Sequence, residues 1–226
     1  MNKSIVAIIP AKGNSQRVKN KNLKLFLKKP LIEWTIKSAL ESKYISKVCV
    51  TSENKKILNF TKKFPINSIL RPKKLANAYI MPDEAVKHAY LKINESFDYI
   101  IMLQPTSPLR TSTDIDNAIE KFFFTKSDSL LSVFKSHAFF WKKKNKNFCE
   151  PTNYHFNKRP RSQDIDSYQE NGAIYITKSK LFLKKNNRLV GKISFSEMSF
   201  ANSIDINTEE DFKLGEAIKK LFLNER

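Results

Sequence analysis

Four cations, Lys12, Arg17, Lys19 and Lys21, follow directly on the apolar run Ile5–Ile9 in the segment Ile9-Pro10-Ala11-Lys12-Gly13-Asn14-Ser15-Gln16-Arg17-Val18-Lys19-Asn20-Lys21-Asn22. Clustered positive charge and free backbone N–H groups at the C-terminal end of a first strand suit a polyphosphate. The loop matches neither the G-x-G-x-x-G of dinucleotide sites nor the G-x-x-x-x-G-K-[ST] of Walker-type NTPases. With only Gly13, Gly172, Gly191 and Gly215 in the chain, neither motif can lie elsewhere. Such a cradle would rest on side-chain charge more than on glycine backbone. The alternative is a solvated basic loop.

Two further constellations could join it. In Gln104-Pro105-Thr106-Ser107-Pro108-Leu109-Arg110 the prolines stiffen the chain and fix where Gln104 points. A positioned amide can read a base or sugar edge with a donor and an acceptor; a tight turn with an N-capping serine is the alternative. Asp205-Ile206-Asn207 puts two oxygen-bearing side chains on one face of an expected strand Ile204–Ile206. If that face meets the same rim, Asp205 is a natural Mg2+ ligand and Asn207 a neutral second ligand or water-holder. Otherwise the pair is a strand end before a helix cap.

The elements that must position these residues alternate. Apolar patterning predicts strands at Ile5–Ile9, Val48–Thr51, Ser68–Leu70, Tyr99–Leu103 and Ser129–Val133. Between them it predicts helices at Leu31–Ser42, Asn54–Lys63, Asp83–Asn94 and from a Thr113-Asp114 cap to Phe123. That rhythm implies an α/β fold, a mainly parallel sheet with helices on both faces. Ligands of such sheets lie beyond the carboxyl ends of the strands, so the loops at 10–22, 71–82 and 104–110 should share one rim. Between Ser136 and Glu170 the pattern weakens while aromatic content stays high (Phe139, Phe140, Trp141, Tyr154), which indicates an arm that packs on something rather than a disordered linker. Strands Ala173–Thr177 and Lys192–Phe195 and a helix from Thr208 to Leu223 complete the expectation of one domain over 1–226, with 136–170 as its arm.

At 226 residues and 41% hydrophobic, the chain can bury a full core. No stretch resembles a signal peptide or a bilayer span. Cys49 and Cys149, without a CxxC pair or clustered histidine, suggest free thiols in a reducing cytoplasm and argue against zinc. The net charge of +19 comes almost wholly from lysines scattered over most helices. They form no single stripe, so the charge is read as surface and not as a nucleic-acid footprint.

Together these segments resemble the bacterial acylneuraminate cytidylyltransferases, the CMP-sialic acid (CMP-nonulosonic acid) synthetase family. The resemblance runs from Ile5 to Leu223. It is carried by Ile9 to Ser15, Lys19 to Asn22, Lys29-Pro30-Leu31-Ile32, Leu70-Arg71-Pro72, Leu103 to Arg110, Arg159-Pro160-Arg161-Ser162-Gln163, Asn171-Gly172-Ala173-Ile174-Tyr175-Ile176 and Ser203 to Thr208. It implies a Rossmann-like nucleotidyltransferase fold and transfer of CMP from CTP to the anomeric hydroxyl of a nine-carbon α-keto acid, releasing pyrophosphate, with Mg2+. By this resemblance Lys12, Arg17 and Lys21 face the triphosphate, and Arg17, Lys21 and Asp205 form the catalytic set. Ala11, Gly13, Asn22, Arg71 and Gln104 belong with the nucleotide. Gln104, Arg161, Gln163 and Asn171 belong with the sugar, and Asp205 with Asn207 at the metal. It also implies a homodimer through the Ser136–Glu170 arm, with Arg161 reaching a partner's site, and neither a nucleic-acid nor a membrane partner.

The chain departs from that family pattern at four places. Lys12 replaces an arginine, losing the planar fork but keeping the charge. Gln16 replaces a lysine, with Arg17 adjacent. The segment Leu75 to Pro82 lacks the usual Asp and Ser/Thr residues. Asn207 replaces a second aspartate, removing one negative ligand. Two alternatives follow: a nucleotide-binding relative with lost or weak catalysis, and an enzyme for the eight-carbon acid Kdo. The Arg159 to Gln163 and Asn171 to Ile176 segments favour the nine-carbon acids.

Overall fold

The computed structural model describes residues 3–15, 17–77 and 79–224, with side chains to residue 221. Gln16 and Ala78, two positions within the departures above, lie outside the described residues.

The elements run β1 (Ile5–Pro10), β2 (Leu25–Phe26), β3 (Lys29–Pro30), α1 (Leu31–Leu40), β4 (Lys47–Ser52), α2 (Lys55–Thr61), β5 (Asn67–Leu70), α3 (Pro82–Ile93), β6 (Tyr99–Leu103) and α4 (Ser112–Thr125). After them come β7 (Ser129–Ser136), β8 (Trp141–Lys143), β9 (Cys149–Pro151), β10 (Ser167–Lys178), α5 (Ser179–Lys185), β11 (Ile193–Glu197) and α6 (Glu209–Asn224). Seven strands form one sheet in the order β11-β7-β10-β6-β1-β4-β5. All its pairings are parallel except those of β10, which runs antiparallel to both β6 and β7.

Period-2 alternation along β1 explains the layering. Ile5, Ala7 and Ile9 pack with Ile32 and Ile36 of α1, Ile57 of α2 and Ile119 of α4. Val6 and Ile8 point the other way, into Val86, Ala89 and Tyr90 of α3 and Phe182 of α5. A third apolar cluster joins Val18, Phe26, Leu31 and Leu109 to Ile204, Ile206 and Phe212 of α6. This cluster anchors the cation loop and the 204–206 segment to the same block.

Three sequence expectations change. Ile204–Ile206 is extended but pairs with no strand; its backbone contact is the Ile206 N–H donating to the Thr106 carbonyl at 2.7 Å. Apolar alternation survives there because Ile204 and Ile206 feed the third cluster. Helix α4 is capped by Thr111, whose hydroxyl accepts the Asp114 N–H while Asp114 accepts the Thr111 N–H and hydroxyl. Asp114 is therefore the N3 partner of a capping box, in the first turn, rather than the cap. The arm is partly sheet: Ser167–Glu170 pairs with Val133–Ser136, and Trp141–Lys143 with Cys149–Pro151.

Candidate active site

The loop after β1 is pinned at its base. The Ala11 N–H donates to the Thr51 carbonyl at 2.9 Å. The Gly13 N–H donates to Glu53 Oε1 at 2.6 Å, and Asn22 Nδ2 donates to the Lys12 carbonyl at 2.7 Å. Lys12, Arg17, Lys21 and Asn22 then line a crevice of about 290 Å³ with Pro82, Gln104 and Thr106. The rim predicted from the strand order thus brings the 10–22 and 104–110 loops together. Among the described residues of 71–82, only Pro82 lines this crevice.

Gln104 is held by its backbone. Its carbonyl accepts Arg110 Nη1 at 3.2 Å, and the same nitrogen donates to the Ala173 carbonyl at 2.8 Å. Burial pushes Arg110 down to about 9, Asp114 opposing. Arg110 ties the strand end of β6 to a bulge in β10 between Glu170 and Tyr175. Gly172 supplies the bulge's left-handed φ of 72° beside the Gln104 amide. The bulge turns Asn171 inward, where its Oδ1 accepts Ser132 Oγ at 2.6 Å and its Nδ2 donates to Ser203 Oγ at 2.8 Å.

A second crevice of about 490 Å³ adjoins the first, lined by Asn171, Gly172, Tyr175, Asp205, Asn207 and Asp211 among others. Gln104 is the residue common to both. Two bonds cross between them: Lys21 Nζ donates to the Ile206 carbonyl at 2.7 Å, and Arg17 Nη2 donates to Asn207 Oδ1 at 3.1 Å. Burial holds the Lys21 ammonium below its ordinary value; Asp205 and Asp211 oppose the shift and Arg17 adds to it. Asp211 accepts the N–H groups of Asn207 and Thr208, each at 2.7 Å, which shapes the turn into α6.

Asp205 Oδ2 accepts Asn207 Nδ2, while its Oδ1 is buried with no hydrogen-bond partner. An orphaned buried carboxylate oxygen is costly unless a cation meets it. Among the described residues no three His, Cys, Asp or Glu side chains cluster as a complete metal cage. Asn207 turns its Nδ2 to Asp205 and its Oδ1 to Arg17, so the oxygen open to a hard cation is Asp205 Oδ1, with the cation's remaining ligands to come from substrate phosphates.

The other predicted residues lie apart. Arg71 is buried against Glu53 and lines neither crevice. Arg161 and Gln163 sit on an exposed turn of the arm, Arg161 Nε donating to Asp164 at 3.2 Å, and line neither crevice of their own chain. Sequence reasoning missed Glu53, Asp211 and the hydrogen bonds by which Ser132 and Ser203 hold the predicted Asn171. Glu53 had one available signal, its place immediately after a parallel strand on the ligand-binding rim.

A family model described as cytidylyltransferase matches residues 6–225. The N-acylneuraminate cytidylyltransferase of Escherichia coli is 30% identical over 97% of this chain and 53% of its own length. The pseudaminic acid cytidylyltransferase of Campylobacter jejuni is 27% identical over 96% of each chain. The chain therefore spans about half the length of the first relative and nearly all of the second. Among solved structures, CMP:2-keto-3-deoxy-manno-octonic acid synthetase complexed with CTP has a TM-score of 0.74 at 14% identity, covering 97% of this chain and 100% of that one. The 4-diphosphocytidyl-2C-methyl-D-erythritol synthase of Anaerococcus prevotii gives 0.71 at 13% identity with the same coverage. These two likenesses concern the fold. The chain belongs to the cytidylyltransferase family.

Proposed function

We propose that this cytidylyltransferase transfers CMP from CTP to the anomeric hydroxyl of a nonulosonic acid of sialic, legionaminic or pseudaminic type, releasing pyrophosphate. The observation that carries the reading is the pair of adjoining crevices, one lined by Lys12, Arg17 and Lys21 and one holding the Asp205 carboxylate, with Gln104 common to both. The names of the relatives in Escherichia coli and Campylobacter jejuni support the substrate class.

In this reading Lys12, Arg17 and Lys21 hold the triphosphate. Ala11, Gly13, Asn22 and Gln104 position the rest of the nucleotide. The acid sugar enters the second crevice beside Gln104 and Asn171. Asp205 and Asn207 would hold Mg2+, which when bound supplies charge neutralisation of phosphate oxygens. Displacement at the α-phosphorus requires an attacking oxygen and a leaving pyrophosphate held in line, and cations placed where negative charge grows. Lys21 and Arg17 sit between the crevices and so can follow charge from the α-phosphate to the leaving group. Arg161 and Gln163, which line neither crevice of their own chain, serve the sugar carboxylate from the partner in a homodimer. The setting is cytoplasmic, where CTP is available.

The test is pyrophosphate release from CTP and Mg2+ with N-acetylneuraminic, legionaminic, pseudaminic and Kdo acids offered separately. Release with a nine-carbon acid is expected. Release with Kdo alone would overturn the substrate class, and silence with all four beside a CTP-raised melting temperature would favour a nucleotide-binding relative without catalysis.

A further inference from the structure

Glu53 stands one residue beyond β4, with its carboxylate between two groups. Oε1 accepts the Gly13 N–H at 2.6 Å, and Oε2 accepts both Nε and Nη2 of Arg71, at 3.1 and 2.8 Å. Both side chains are removed from water, 11% exposed for Glu53 and 3% for Arg71. The Gly13 bond belongs to a set: Ala11 is bonded to Thr51 and the Lys12 carbonyl to Asn22. These bonds fix the backbone on either side of Lys12, where the cationic loop begins. Burial pushes the Glu53 carboxyl up, but the N–H donors of its own backbone and Gly13, together with Arg71, outweigh it and keep the group ionised at neutral pH.

A buried carboxylate beneath a loop that receives a polyanion is electrostatically adverse unless its charge is cancelled where it stands. Arg71 cancels it, and its fork orients the carboxylate so that Oε1 is left for Gly13. We infer that Glu53 and Arg71 are a positioning pair that presets the triphosphate loop, with Arg71 acting through Glu53 rather than by touching the nucleotide. The inference rests on the cationic crevice being the nucleotide site. It changes the role expected of Arg71 from the sequence, and adds a residue with no assigned part.

The signature is the sign of the coupling. Arg71→Met frees an uncompensated carboxylate and loosens Gly13, so removing that carboxylate as well should restore binding. The experiment compares wild type, Arg71→Met, Glu53→Gln and the double variant by amide exchange at Gly13 in ligand-free, nitrogen-15-labelled protein, and by calorimetric titration with CTP and Mg2+. Arg71→Met is expected to speed Gly13 exchange and weaken CTP binding, each about tenfold, and the double variant to recover CTP affinity to within about threefold of wild type. If Arg71→Met fails to fold, Arg71→Lys, which keeps charge without the fork, takes its place. Unchanged Gly13 exchange in Arg71→Met together with lost CTP affinity that Glu53→Gln does not rescue would overturn the inference in favour of direct contact. Because the exchange arm needs no nucleotide, failure of wild type to bind CTP would sink the functional reading while the exchange result still decides whether the pair orders the loop.

Discussion

Replacing Gly13 by alanine probes the loop at its tightest point. Gly172 and Gly191 have positive φ, but Gly13 does not, so contact alone opposes a side chain there. A Cβ at this position would meet Asn54 Cβ at 2.5 Å and Asn54 Nδ2 at 2.7 Å. That is about 1 Å inside an ordinary carbon contact. Asn54 cannot simply rotate away, because its Cβ is fixed to the backbone and its Oδ1 caps α2 by accepting the Lys56 N–H at 2.8 Å. The loop cannot lift without stretching the Gly13–Glu53 bond. Forcing a methyl into such a site costs about 1–3 kcal/mol. If the loop yields, that strain opposes the nucleotide-bound geometry, and at about 1.4 kcal/mol per decade CTP affinity falls about 5- to 150-fold. Calorimetric titration gives the affinity, and thermal melting followed by circular dichroism separates a local effect from global unfolding. Adding Asn54→Gly deletes the colliding carbon and should bring Gly13→Ala back to within about threefold of Asn54→Gly alone. Wild-type affinity in a folded Gly13→Ala protein, or no relief from Asn54→Gly, would refute the steric reasoning.

Other outcomes follow from the same geometry. Asp205→Ala should lower kcat by at least about 100-fold while leaving CTP affinity within about threefold, since its charge matters most as the leaving group departs; near-normal turnover would remove Asp205 from the chemistry. CTP affinity should be full while Lys21 is protonated and decline as pH rises through a pKa below 10.5, since burial depresses that ammonium. Titrations from neutral to alkaline pH should show that decline in wild type but not in Lys21→Arg, and a flat wild-type profile would contradict it. Burial pushes the Cys49 thiol up to about 12, whereas Cys149 is exposed. A thiol reagent at neutral pH should therefore label only Cys149 in the native protein and both cysteines after denaturation, with native labelling of Cys49 as the contrary result.

What could be read in advance depended on whether the determining contacts were local. Strand β1 announced itself because Ile5, Ala7 and Ile9 feed one core and Val6 and Ile8 the other. Ile204–Ile206 carries the same alternation, yet pattern reports burial and not pairing, and no strand lies beside it. The first residues of β10 failed in the opposite sense: Tyr168, Gln169 and Glu170 are exposed and polar, and only long-range pairing with Phe134 and its neighbours makes them strand. The site divides along the same line. Cations crowded on one loop are visible in sequence, whereas Glu53 becomes meaningful only when β5 delivers Arg71 to its carboxylate.

At Asn207 a long-range contact alters what the substitution means. As a ligand it is poorer than aspartate by one charge. In the folded chain it also accepts Arg17 Nη2 at 3.1 Å. That bond is already charge-assisted through the guanidinium; an aspartate would add an ion pair to it and hold Arg17 more firmly. On the proposed function, the weaker hold of the amide leaves Arg17 more readily exchanged onto a phosphate.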